Sequence, residues 1–265
     1  MSESPSSSGE GVSVGHYTEL HIYDFGPFKE AHIELAPLTI FIGKNSLGKS
    51  MLLYLIWVLE KTLPDFNELY KVMDEMGALR LAEKCFNSIK AGQEPIELIY
   101  ELLLMTLKAF ARAWAEALNN AFHNVYGVEI GELARLKRTD KGFTIIIEGE
   151  KGKLEVVGKD RISIKWLKLD ESVVYESTTV LFIGDTIYIA NGILTEASIA
   201  SPPDVLKATV LALRGLLYDI FGKIAGVFPG VLLVDGRAGI MRVLLVPYPS
   251  IALTIGKEVL SADYE

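Results

Sequence analysis

The sequence predicts an α/β protein with a β-rich lobe and a block of inserted helices. Three features of its 265 residues lead there. A run of β-formers at 38–42 leads directly into a glycine-bounded loop and then a helical pattern. A long helical stretch follows, from Pro64 to about Tyr126. Period-two alternation then resumes at Gly142.

Taken in order, "MSESPSSSGEGV" has no apolar core, so it is not a signal peptide. Its Ser, Gly and Pro content predicts a disordered leader over 1–15. "YTELHIYDFGPFKEAHIELAPLTIFIGKN" alternates with period two and is broken by Gly26-Pro27 and by Pro37. That pattern predicts an antiparallel hairpin feeding a buried strand at 38–42. A helix is expected from Lys49 to about Lys61. A second helical stretch, opened by Pro64, runs to about Lys90, where Gly92 and Pro95 punctuate the chain. A long helix to about Tyr126 carries Leu98, Leu102, Met105, Phe110, Trp114 and Leu118 near one face.

From Gly142 the strands "FTIIIEG", "KLEVVG" and "RISIKW" are separated by Gly- and Lys-rich turns. "TTVLFIG" and "TIYIANG" are expected to continue the same sheet. Pro202-Pro203 opens a helix to about Ile224, and "GVLLVDG" reads as one more strand. No internal repeat is visible. These shifts divide the chain into a leader (1–15), a hairpin with the loop and first helix (16–62), a helical insertion (63–130), a β-rich lobe (131–200) and a closing helix and strand (201–265).

Composition narrows the class. Half of the residues are hydrophobic, which fits a globular chain with a real core. The single cysteine, Cys85, has no internal partner, as expected of a reducing cytoplasm. The most apolar segments, 102–121 and 205–224, carry Lys108, Arg112 and Glu116, and Lys207, Arg214, Asp219 and Lys223, respectively. Each such charge costs about 2.5–3.5 kcal/mol at a bilayer centre, so both read as buried helices with no membrane insertion. The net charge of −8 argues against a protein that coats nucleic acid over its whole surface. It is uneven, however. Residues 133–168 hold ten Lys or Arg against five Asp or Glu. Lysines on the solvent face of a small sheet explain this, and a DNA contact is the alternative.

"GKNSLGKS", residues 43–50, matches G-x-x-x-x-G-K-[ST] in full. Side chains at Gly43 and Gly48 would crowd a loop that must turn its N–H groups inward around a phosphate. The helix from Lys49 presents its positive end to the anion. In this pattern Lys49 reaches the β- and γ-phosphates and the Ser50 hydroxyl is placed for Mg²⁺. Gly43, Lys44, Asn45, Ser46, Leu47, Gly48, Lys49, Ser50 and Met51 are therefore the expected nucleotide-binding residues, with ATP and Mg²⁺ as ligands. The preceding β-run and the following "SMLLYLIWVLEK" are the context the motif requires.

With its "FGPF" turn between two strands, "DFGPFKEAHIELAPLTIFIGKNSLGKS" resembles the N-terminal lobe of ABC-type P-loop ATPases of the SMC and double-strand-break-repair kind. The Asn45-Ser46 pair is typical of that group. The branch it is most similar to is the overcoming-lysogenisation-defect group, of the AAA-15/AAA-21 type. "VYGVEIGELARLKRTDKGFTIII" and "LLVDGRAGIMR" resemble further segments of that branch, the second with Asp235-Gly236 in place of Pro-Ala. The resemblance covers 17–242 loosely.

It implies parts that are hard to find here. A Leu-Ser-Gly-Gly signature, a strand ending in Asp-Glu and a switch histidine are expected, and none follows Arg242. "VLLVD", 231–235, has four apolar residues and then Asp235, a weak candidate for holding Mg²⁺. Gly-Arg follows in place of Glu, so a strand ending in a turn is the simpler reading. Gln93 lies in "KAGQEP", which reads as a turn between helices and not as the γ-phosphate glutamine. Arg237 and Arg242 are phosphate or domain contacts, or surface ion pairs. His16, His21 and His32 lie in the amino-terminal region without ligand spacing, and His123 stands apart, so no metal site is expected among them.

The expectation is therefore the amino-terminal half of a composite ATPase, incomplete relative to the full domain. A homodimer, or a complementing half carrying signature and Walker B motifs, would complete it. A non-hydrolysing ATP-gated interaction module and a DNA-binding module remain as alternatives.

Overall fold

The structure, a computed structural model, describes residues 18–36, 38–44, 47–135, 142–191, 193–221, 230–234 and 241–245. The leader at 1–15 lies outside them, as do Asn45, Ser46, Asp235 and Arg237.

The first sheet has five antiparallel strands in the order β2-β1-β4-β5-β6. They are β1 (Thr18–Phe25), β2 (Phe28–Leu35), β4 (Phe143–Glu148), β5 (Gly152–Gly158) and β6 (Ile162–Leu169). The hairpin and the three strands that follow the helices thus share one layer, because β1 pairs with β4 as well as with β2. Alternation sets its two faces. Leu20, Ile22, Ile145, Ile147, Leu154 and Val156 point into the core.

Across that face lies α4 (Ile96–Tyr126), the central helix of the molecule. It buries more than the expected single stripe. Ile99, Leu103, Thr106 and Leu107 are as enclosed as Leu102, Phe110, Trp114 and Leu118. The reason is its neighbours: α1 (Lys49–Lys61), α2 (Phe66–Glu75), α3 (Ala78–Lys90) and α7 (Pro202–Phe221) also pack on it. The helical stretch expected from Pro64 to Lys90 is two helices, parted at Gly77. Two further short helices are α5 (Ile130–Arg135) and α6 (Ser172–Ser177). Asn119 fixes α4 to β6, accepting from the Ile162 N–H at 2.7 Å and donating to its carbonyl at 3.3 Å.

Contrary to expectation, β7 (Thr179–Ile183) and β8 (Thr186–Ala190) do not continue the first sheet. With β9 (Leu194–Ser198) they form a separate antiparallel sheet of three strands. α6 intervenes after β6, and β8 and β9 pack against α7.

The third sheet has the order β10-β11-β3, with β3 (Leu38–Phe41), β10 (Gly230–Val234) and β11 (Met241–Leu245), all antiparallel. β3 is at its edge, so the expectation of a buried strand at 38–42 is corrected. Ile40 is 43% exposed and Ile42, beyond the strand, is 82% exposed. No helix of the described residues is long and apolar enough to cross a membrane.

Candidate functional site

β3 ends at Phe41, and the chain then passes through the 43–50 loop into α1. Of the nine residues expected to bind nucleotide, Gly43, Lys44, Leu47, Gly48, Lys49, Ser50 and Met51 are described. The Lys49 side chain folds back over the loop. Its ammonium donates to the carbonyls of Gly43 at 2.9 Å and Lys44 at 2.6 Å. The charge is thus held against the loop carbonyls, where solvent and a ligand can still reach it.

The helix start is open to an anion. Gly48 is the N-cap of α1, no side chain caps it, and the first turn has no acidic residue. The Gly48 carbonyl closes the first turn by accepting from the Met51 and Leu52 N–H groups at 2.9 and 3.2 Å. Gly43, Lys44, Leu47 and Ser50 are exposed. Among the described residues, an uncapped helix start with its dipole, one fixed ammonium and the exposed Ser50 make a set suited to phosphate oxygens, and Ser50 could offer a ligand to Mg²⁺.

Two glycines explain how tightly the loop is built. Gly48 has φ of 82°, in the left-handed region. A Cβ there would also lie 2.8 Å from the Phe28 ring and closer still to Pro27. Gly26, φ 51°, has the Met51 thioether against the position a Cβ would take. The Gly26-Pro27-Phe28 turn of the first hairpin is therefore packed directly onto the phosphate loop and the first turn of α1.

α4 braces the same helix at both ends. Tyr126 donates to the Met51 carbonyl at 3.0 Å, and the Trp114 indole donates to the Thr62 carbonyl at 2.6 Å. Burial pushes the Tyr126 phenol far above its ordinary pKa, so it remains a neutral donor. Its ring meets Phe25 edge-on at 5.8 Å, within a cluster that includes Phe122 and Phe143. The Gly-Pro turn was legible in the sequence, but its packing on the loop was not. Nothing in the local sequence marks Tyr126 or Trp114 as braces.

The other candidates lie elsewhere. Gln93 is exposed on the turn between α3 and α4. It therefore sits at the opposite end of α4 from Tyr126, and 31 helical residues span about 46 Å. Asp235 and Arg237 fall outside the described residues. The strand before Asp235, β10, does not flank β3, because β11 lies between them and runs opposite to both. Val234 and Phe41 are both opposite Met241, so the two strands end at the same sheet edge, about 10 Å apart. Arg242 lies on β11 in register with Ile40.

The described cations of the basic segment are mostly paired. Lys153 meets Glu148 at 2.5 Å, Arg161 meets Glu116 at 2.6 Å and Lys165 meets Glu155 at 2.8 Å. A groove of about 470 Å³ between Leu63, Phe66, Ile193 and Leu211 is mostly apolar and opens at the far end of α1, away from the loop.

The model of a protein family described as an AAA ATPase domain matches residues 18–166. The match takes in the hairpin, the whole 43–50 loop, the helices to α5 and most of β6, and it stops short of α7 and the strands after it. No curated protein and no solved structure matches the chain. With more than half of its length matched, and with the phosphate loop inside the match, the chain belongs to the AAA ATPase domain family, of the AAA_15 type, an ATP-binding ATPase family.

Proposed function

We propose that this chain is the ATP-binding half of an SMC- or OLD-like ABC-type ATPase, working in the cytoplasm with Mg²⁺. Hydrolysis needs a second chain, or a further domain, that brings the signature and Walker B motifs. The observation behind the nucleotide reading is Lys49, held over the Gly43 and Lys44 carbonyls at the uncapped start of α1. When ATP is bound, the ammonium exchanges these carbonyls for phosphate oxygens, which are stronger acceptors because they are charged. The loop N–H groups hold the same phosphates, and the Ser50 hydroxyl supplies one ligand to Mg²⁺.

The need for a complement rests on what the sequence contains. Among the described strands β6 alone is followed by Asp-Glu, at Asp170-Glu171, and it lies at the edge of the first sheet rather than in the sheet of β3; no Leu-Ser-Gly-Gly segment is present in the sequence. Without a carboxylate to orient water, or a segment to close over the γ-phosphate, the transition state has binding but little specific stabilisation. A homodimer supplies neither part if the chain has neither, so a complementing half is favoured. The alternative is an ATP-gated interaction module that does not hydrolyse at all. DNA binding through 133–168 is less favoured, since four of its cations, Lys151, Lys153, Arg161 and Lys165, already have acidic neighbours.

ATP turnover of the purified chain separates these readings. Slow or no turnover alone, restored by a chain carrying the missing motifs, supports the half-ATPase. Turnover by the chain alone at roughly 1 s⁻¹ or faster, lost on Asp235→Asn, overturns it and makes Asp235 a working metal-site residue. No turnover with any complement supports the gated module.

A further inference from the structure

The solvent face of the first sheet, away from the phosphate loop, brings together groups that the sequence keeps apart. β1 and β2 pair so that His21 lies opposite His32 and Glu19 opposite Glu34. β1 and β4 pair so that Glu148 lies opposite Glu19. Leu20 and Ile22 face the core, so alternation sends Glu19 and His21 to the other side. His21 and His32 are 11 residues apart across a turn, which no local ligand spacing reveals.

The contacts are close. The His32 Nε2 is 3.0 Å from the Glu19 Oε2, and the His21 Nε2 is 3.5 Å from the same oxygen. The His21 Nε2 is also 3.6 Å from the Glu148 Oε2. The ligand atoms of Glu19, His21 and His32 all lie within 4.8 Å of one another. The two imidazoles stack with centroids 4.4 Å apart and planes 8° apart.

Two features favour a cation at this cluster. The His21 Nε2 is buried from solvent and makes no hydrogen bond, which is costly for a ring nitrogen with a lone pair or proton to place. In addition, Glu34, Glu19 and Glu148 form one row across three neighbouring strands. Like charges directly opposite one another destabilise a sheet. Lys153, opposite Glu148 and 2.5 Å from it, answers only the end of that row.

We propose that Glu19, His21 and His32, with Glu148 as a fourth ligand, bind a divalent transition-metal ion, of which Zn²⁺ fits best. Imidazole nitrogen and carboxylate oxygen are its usual donors besides thiolate. Ligand atoms about 2.1 Å from a tetrahedral centre stand about 3.4 Å apart, and the separations of 3.0, 3.5 and 3.6 Å bracket that value. The parallel rings must turn for both Nε2 atoms to converge. The ring torsion of histidine is broad, and His32 is exposed on the edge strand β2, where it can turn. The ion gives the buried Nε2 a partner and neutralises the carboxylate row. It also clamps the edge strand, whose turn at Gly26–Phe28 rests on the phosphate loop.

The test is calorimetric titration of the tag-free full chain with ZnCl₂ in chelator-free buffer. One equivalent should bind with micromolar affinity or tighter. His32→Ala and His21→Ala should each weaken it by at least roughly tenfold, and Glu148→Gln by less. His16→Ala and His123→Ala should leave it unchanged. His32 is exposed, so its variant should keep the parent circular dichroism and serve as the test even if His21→Ala does not fold. No saturable binding below about 100 μM would leave the histidines as charge partners of the glutamates and overturn the proposal. So would binding that survives His32→Ala, or that is lost on His16→Ala or His123→Ala.

Discussion

Tyr126 donates its phenolic hydrogen to the main-chain carbonyl of Met51, 3.0 Å away, tying the end of the longest helix to the first turn after the phosphate loop. Twelve residues earlier, Trp114 holds the carbonyl of Thr62 just past the other end of α1. The two helices run antiparallel, and the distance between the braces on α4 equals the length of α1. The loop geometry is thus set by a helix remote from it in sequence.

Tyr126→Phe tests that brace. The ring stays among Phe25, Phe122 and Phe143, and one neutral hydrogen bond is lost. Urea unfolding should show a loss of about 0.5–1.5 kcal/mol, with ATP affinity falling at the same time. Unchanged stability would mean that the hydroxyl carries nothing.

Gly48→Ala should do more damage. A left-handed alanine costs roughly 1–2 kcal/mol, and its methyl would meet the Phe28 ring and Pro27. The hairpin turn must move away from the loop, so both the denaturant midpoint and nucleotide binding should fall. A variant with parent stability would show that the turn does not bear on the loop.

The strand–loop–helix setting of residues 43–50 was legible because its signal is local: eight consecutive residues, a strand before and a helix after. So were α1, expected from Lys49 to about Lys61, and α4, expected from Pro95 to about Tyr126. The sheet assignments were not. "TTVLFIG" alternates like "FTIIIEG", and nothing in either says which partner strand it will find. The exposure of Ile40 and Ile42 was hidden for the same reason, since an apolar run reads as buried whether it lies at the centre or the edge of a sheet. His21 and His32 became neighbours only through the hairpin register.

Ser50→Ala separates metal from phosphate. Ser50 is exposed in the first turn of α1, and the proposed function gives its hydroxyl to Mg²⁺. Affinity for Mg·ATP should fall more than affinity for ATP in the presence of a chelator. Equal losses in the two conditions would make the hydroxyl a part of the helix start instead.

Cys85 should be inert in the folded chain. It is buried on α3, and burial pushes its thiol up to about 12. The unfolded thiol ionises from an ordinary pKa near 8.5. The folded state therefore keeps its full advantage below that pH and loses it as pH rises from there towards the folded value. A chromogenic disulfide reagent at pH 8 should label the native chain only as fast as it unfolds. Rapid stoichiometric labelling would contradict the packing of α3 against α4 and α7.

The most direct measurement is equilibrium binding of labelled ATP to the parent chain and to Lys49→Ala. In the described structure the ammonium touches only the Gly43 and Lys44 carbonyls, so its removal should leave the fold intact, as circular dichroism can verify. Losing charge-assisted hydrogen bonds to phosphate should cost about 1.5–3 kcal/mol, a tenfold to roughly hundredfold weakening. ATP bound equally tightly by the folded variant would contradict the assignment of residues 43–51 as the nucleotide site.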